Sequence, residues 1–155
     1  MDRAAEDLVL KGILDGSSAF VGPEIFQFDI TNKCNNNCLC CWNNSPFLGP
    51  PCAEKIKERE RELPFDLIKS TIDQLREMGT KTLFFAGGGE PFAHPQIMQI
   101  LSYAKQSRMK VFINTNFTFM DTQRAEAIVG LKIDLIHVSL LAGTAKTYSL
   151  VHPNQ

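Results

Sequence analysis

From Glu24 onward, strand-like and helix-like segments alternate along the chain. Ile25 to Ile30 predicts a strand, and a long cysteine-bearing loop follows it. Leu67, Ile68, Ile72, Leu75 and Met78 recur at helical spacing, with Gly79 as a stop signal just past the last turn. Thr82 to Ala86 predicts a buried strand that runs into Gly87-Gly88-Gly89-Glu90-Pro91. Pro95 stands where a first helical position would be, and Ile97, Ile100, Leu101 and Ala104 form the inward stripe of the next helix. Val111 to Asn114 predicts a third strand, Asp121 caps a helix ending at Gly130, and Leu135 to Leu140 predicts a fourth strand, with another helix starting near Thr144. Ahead of this series, Leu8, Val9, Ile13 and Leu14 mark a short amphipathic helix expected to pack on the main body. The chain therefore divides into a leader helix, residues 1–20, and a core domain, residues 21–155.

Strand and helix in this order mean parallel strands joined by right-handed crossovers, with helices covering the outer face. The fold class is α/β, a partial parallel (β/α) barrel of TIM-like type. A closed eight-unit barrel takes about 250 residues, so the stretch from Glu24 to Gln155 accommodates about four units. Such a piece is expected to be part of something larger. In a parallel sheet every loop leaving the C-terminal end of a strand emerges on one side. The four loops here carry the cysteines, the Gly-Gly-Gly-Glu turn, Asn114-Thr115-Asn116, and Ser139 at a strand end.

Composition narrows the possibilities further. At 44% hydrophobic and 21% charged residues over 155 positions, the chain suits one folded domain. A formal net charge of -1 provides no basic field for nucleic acid or an anionic membrane. The run from Glu54 to Glu62 alternates charges and is expected to be a solvated face. Near the N-terminus the longest apolar stretch is Leu8 to Leu10, too short for a signal segment. A cytoplasmic, reducing setting follows, with the cysteines as free thiols.

All five cysteines, at 34, 38, 40, 41 and 52, crowd into one short stretch, unlike a disulfide framework. Cys34, Cys38 and Cys41 have the spacing Cys-x3-Cys-x2-Cys, tight enough for three thiolates to meet one inorganic cluster. A structural zinc site with Cys52 as fourth ligand is the plainer alternative. Taken alone, Gly87 to Gly89 would be a tight turn or a phosphate cradle. His94, His137 and His152 read as ordinary structural histidines. Trp42 suits either shielding of a cluster or packing.

Taken together, Cys34-Asn35-Asn36-Asn37-Cys38-Leu39-Cys40-Cys41, Gly87-Gly88-Gly89-Glu90-Pro91, Asn114-Thr115-Asn116 and Val138-Ser139-Leu140 occur in the order seen in the radical S-adenosylmethionine superfamily, which the chain resembles from about Glu24 to its end. The motif style is similar to the branch of molybdenum-cofactor and peptide-maturation enzymes. The resemblance implies about four units of a six-unit barrel. It implies that Cys34, Cys38 and Cys41 ligate a [4Fe-4S] cluster whose open iron is chelated by S-adenosylmethionine. Reductive cleavage then yields a 5′-deoxyadenosyl radical for hydrogen abstraction. It further implies that Gly87, Gly88 and Gly89 approach the methionine moiety and that Glu90 receives its ammonium group. Thr115, Asn116 and Ser139 suit the ribose hydroxyls or the carboxylate. The substrate is expected to be a small molecule or a peptide, and the reductant an electron donor such as flavodoxin or ferredoxin. Cys40 stands where the family usually has an aromatic residue, and Phe117 where it often has Gly. The fifth and sixth strands have no counterpart here, so the 155-residue chain alone is expected to be inactive. A non-catalytic metal-binding or iron-sulfur electron-transfer module is the alternative function.

Overall fold

The computed structural model describes residues 3–48 and 61–153. Its center is a four-stranded sheet in which β1 (Ile25–Phe28), β2 (Thr82–Phe85), β3 (Lys110–Thr115) and β4 (Leu135–Val138) lie side by side in chain order, every pair parallel. Helix α2 (Phe65–Glu77) connects β1 to β2, α3 (Ile97–Gln106) connects β2 to β3, and α4 (Thr122–Gly130) connects β3 to β4. A leading helix α1 (Arg3–Asp15) and a short α5 (Ala145–Val151) flank this series. The expected four β/α units are present, and the architecture is a partial parallel barrel.

The core lies between the sheet and the two middle helices. α2 buries Ile68, Ile72 and Leu75, whereas Leu67 and Met78, which share their helical spacing, are exposed; α3 buries Ile97, Ile100, Leu101 and Ala104, the positions that its spacing singled out. Across from them stand Leu83 and Phe85 of β2 and Val111 and Ile113 of β3, all without solvent exposure. Each such apolar side chain contributes about 2 kcal/mol by leaving water. In β3 the period of two is plain: Val111, Ile113 and Thr115 are buried, while Lys110 and Asn114 on the opposite face are exposed. Register pairs Phe28 with Phe85 and Phe85 with Ile113, and Thr115 with Val138, so β1 and β2 end together, β3 and β4 end together two residues further on, and all four loops emerge on the same side.

Local signals largely act as expected. Gly79, at φ +85°, follows α2 and permits the left-handed turn that ends it. Asp121 and Thr144 cap α4 and α5, accepting from Arg124 N and Thr147 N. Two expectations are corrected. Pro95 does not open α3; a 3-10 turn starts at Pro91, and α3 begins at Ile97, whose amide donates to His94 O. The His94 ring fixes this entry, with Nδ1 accepting from Gln96 N at 3.1 Å and Nε2 facing Leu63 O at 3.0 Å. The leading helix leaves its apolar stripe in solvent, with Ile13 71% and Leu14 78% exposed, rather than burying it on the main body. Among the described residues, no helix is long and apolar enough to cross a membrane.

Candidate cofactor site

Beyond Phe28 the chain leaves the sheet as a long loop whose two ends run beside each other. Thr31 and Glu62 form an antiparallel bridge, Leu63 N donates to Ile30 O at 2.9 Å, and Arg61 N donates to Asn32 Oδ1 at 2.6 Å. The cysteine segment therefore projects from a closed neck directly above the C-terminal end of β1.

Within this loop a turn joins Cys41 N to Cys38 O at 3.0 Å. Cys34, Cys38 and Cys41 are half-buried, whereas Cys40 faces solvent. Backbone amides converge on two of the sulfurs: Asn36 N on Cys34 Sγ at 3.4 Å, and Asn43 N and Asn44 N on Cys41 Sγ at 3.4 and 3.2 Å. Burial pushes the Cys34 thiol up, and the nearby charges of Glu90, Cys38 and Cys41 push it further, against the opposing pull of Asn36 N. Cys38 is likewise raised, by burial and then by the Cys41 charge. Three neighboring cysteines, two of them already offered N–H donors, form a donor set whose thiolates a cationic iron center would stabilize. These residues fit an iron-sulfur cluster. Among the described residues no three His, Cys, Asp or Glu side chains close tightly enough for a single metal ion. Cys52, the fourth ligand in the zinc alternative, lies outside the described residues, as does most of the Glu54 to Glu62 run.

The glycine loop after β2 is sewn to the cysteine loop. Glu90 N donates to Lys33 O at 2.8 Å, and Gly88 N donates to Asp29 Oδ2 at 2.9 Å. A Cβ on Gly87 would run into the Asp29 carboxylate, and one on Gly89 would lie 2.5 Å from Thr31 O, so both glycines serve close approach of the chain to itself. Gly87 also sits at φ +139°.

Glu90 is 2% exposed and joins three elements. Its Oε1 accepts from Thr115 Oγ1 at 2.6 Å and from Phe92 N at 3.1 Å, and its Oε2 accepts from Asn116 N at 2.7 Å. Burial pushes its carboxyl up, and these three donors pull in the opposite direction. Asn116 continues toward the cysteines, its Nδ2 lying 2.9 Å from Asn35 Oδ1 and 3.9 Å from Cys34 Sγ. Ser139 stands at the rim. Its amide donates to Thr115 O at 2.8 Å, and its hydroxyl reaches Asn114 Oδ1 at 3.3 Å.

The sequence-predicted positions thus meet at one end of the sheet. Cys34, Glu90, Thr115 and Asn116 share hydrogen bonds or direct electrostatic contact, while Ser139 joins through the β3 backbone. Sequence reasoning passed over Asp29, Asn35, Asn43 and Asn44, whose polar side chains knit the loops together; the Asn43-Asn44 pair, separated from Cys41 only by Trp42, was the available signal. Phe117 adopts φ +65°, a left-handed conformation that favors glycine. Trp42 is 72% exposed. His152 is buried and stacked on Tyr148, and Val151 O accepts Leu39 N at 3.0 Å, which ties α5 to the cysteine loop.

A family model described as the Radical SAM superfamily matches residues 28–154. The chain belongs to the radical SAM superfamily. Membership in the radical SAM superfamily implies an iron-sulfur cluster and S-adenosylmethionine. The chain is 28% identical over 116 residues to Fe-coproporphyrin III synthase of Methanosarcina barkeri, covering 75% of this chain and 27% of that protein. It is 29% identical over 130 residues to the antilisterial bacteriocin subtilosin biosynthesis protein AlbA of Bacillus subtilis, covering 79% and 27%. The chain thus spans about a quarter of the length of these relatives. In fold it is similar to Streptococcus suis SuiB bound to S-adenosylmethionine, with a TM-score of 0.69 at 17% identity over 97% of this chain and 32% of that one.

Proposed function

We propose that this radical SAM chain carries the cofactor site of an enzyme in which Cys34, Cys38 and Cys41 ligate a [4Fe-4S] cluster. In this reading Gly87, Gly88, Gly89, Glu90, Thr115, Asn116 and Ser139 hold S-adenosylmethionine. The single observation that carries it is the hydrogen-bonded continuity from Cys34 through Asn116 to Glu90 and Thr115. When bound, the cluster and S-adenosylmethionine supply one-electron cleavage of a sulfonium and a 5′-deoxyadenosyl radical that takes hydrogen from a substrate.

The chain's own residues bind and orient. Amides of Asn36, Asn43 and Asn44 stabilize negative sulfur at Cys34 and Cys41. Glu90 aligns Thr115 and Asn116 by accepting from both, and its two oxygens retain capacity for one more donor, such as an ammonium. The glycine loop leaves the site free of side chains over three residues, and Ser139 offers a hydroxyl at the rim. Residues 1–20 act as a leader and 21–155 as the core domain. A peptide or small-molecule substrate accords with relatives such as the PqqA peptide cyclase of Streptomyces rochei. A flavodoxin- or ferredoxin-class donor would supply the electron in the cytoplasm, where thiols stay reduced.

Anaerobic reconstitution of the full-length protein with iron and sulfide tests this function. Dithionite plus S-adenosylmethionine should then give 5′-deoxyadenosine. A loaded cluster with no such product would overturn the enzyme assignment in favor of an iron-sulfur electron-transfer module.

A further inference from the structure

Two adjacent asparagines each bond to two different loops. Asn43 donates its backbone N–H to Cys41 Sγ at 3.4 Å and its side-chain Nδ2 to Gly88 O at 2.7 Å. Asn44 repeats the pattern at 3.2 Å in both bonds. Gly88 O therefore accepts two amide donors, which fills both of its lone pairs. From the opposite side Gly88 N donates to Asp29 Oδ2 at 2.9 Å. The residue is held through its carbonyl by the cysteine loop and through its amide by the end of β1. A Cβ on Gly88 would lie 3.0 Å from Asn43 Nδ2, tighter than ordinary van der Waals contact, so glycine here leaves room for the amide.

We infer that Asn43 and Asn44 are positioning residues that fix the Gly88 peptide relative to the Cys41 sulfur, and thereby the S-adenosylmethionine loop relative to the cluster. This rests on the cofactor assignment proposed above. The two kinds of bond are separable by mutation. The donors to Cys41 belong to the backbone and survive truncation to alanine, whereas the donors to Gly88 belong to the side chains and do not. Outer partners that orient a metal site commonly matter by about 10- to 100-fold, and here the effect should fall on the S-adenosylmethionine side.

The test compares the full-length wild type with an Asn43→Ala/Asn44→Ala double variant and with Asn43→Asp, which keeps the shape but places an acceptor against Gly88 O. Iron per chain, the electron paramagnetic resonance response of the reduced cluster to added S-adenosylmethionine, and amide hydrogen exchange at Gly88 in cluster-free protein are measured. The double variant should retain wild-type iron content, require about tenfold or more S-adenosylmethionine for half-maximal response, and exchange the Gly88 amide faster. Asn43→Asp should shift the half-maximal concentration in the same direction. A wild-type half-maximal concentration in either variant, or parallel loss of iron, would overturn the inference. A wild-type cluster that ignores S-adenosylmethionine would instead overturn the cofactor assignment beneath it.

Discussion

Thr115 Oγ1 donates to Glu90 Oε1 at 2.6 Å, tying the last residue of β3 to the loop that follows β2. Both residues are buried, so the bond forms away from competing water and the carboxylate has little solvent to fall back on. Loss of either partner leaves polar atoms without substitutes.

Glu90→Gln should therefore destabilize the fold by about 1–3 kcal/mol, since an NH2 group would replace one of the acceptors facing three donors. Chemical denaturation at neutral pH measures it. A variant as stable as wild type would show that this junction does not need a carboxylate.

The same residue gives a pH dependence. Because burial raises the Glu90 carboxyl above the ordinary glutamate value, the folded chain holds this proton more tightly than the unfolded one. Its contribution to stability is full below the ordinary value and is lost as pH rises through the raised one. Unfolding free energy should decline with pH across that window in wild type and decline less steeply in Glu90→Gln. Equal slopes would contradict the raised carboxyl.

Gly89→Ala should lower stability by about 1–3 kcal/mol, because the new methyl would meet the Thr31 and Lys33 carbonyls, which are backbone and have little freedom to move aside. The urea midpoint should drop with the slope unchanged. No change in midpoint would mean that the two loops sit too far apart for the methyl to meet these carbonyls.

In metal-free protein, iodoacetamide should modify exposed Cys40 ahead of half-buried Cys34 and Cys38, whose raised thiols should react faster as pH increases. Loading with iron and sulfide should protect Cys34, Cys38 and Cys41 while leaving Cys40 reactive. Peptide mass spectrometry reads the pattern, and protection of Cys40 in place of Cys41 would reassign the ligand.

Ser139→Ala separates function from folding. The hydroxyl makes a single 3.3 Å bond to exposed Asn114, so stability should change by less than about 0.5 kcal/mol. S-adenosylmethionine affinity should nevertheless fall. Unchanged affinity would remove Ser139 from the cofactor site.

The sequence by itself determined the parallel α/β order, the buried faces of α2 and α3, the caps at Asp121 and Thr144, and the cysteine and glycine motifs. These depend on spacing within a few residues, which the chain order preserves. Only the tertiary structure decided that the leading helix keeps its apolar stripe exposed, that His94 sets the start of α3 in place of Pro95, and that Glu90 joins Thr115 to Asn116. It alone revealed Asp29, Asn43 and Asn44 as the links between the cysteine and glycine loops. Asp29 and Asn43 reach partners 59 and 45 positions away. Local periodicity carries no information about such pairs, because their meeting depends on which strands become neighbors and where their ends align.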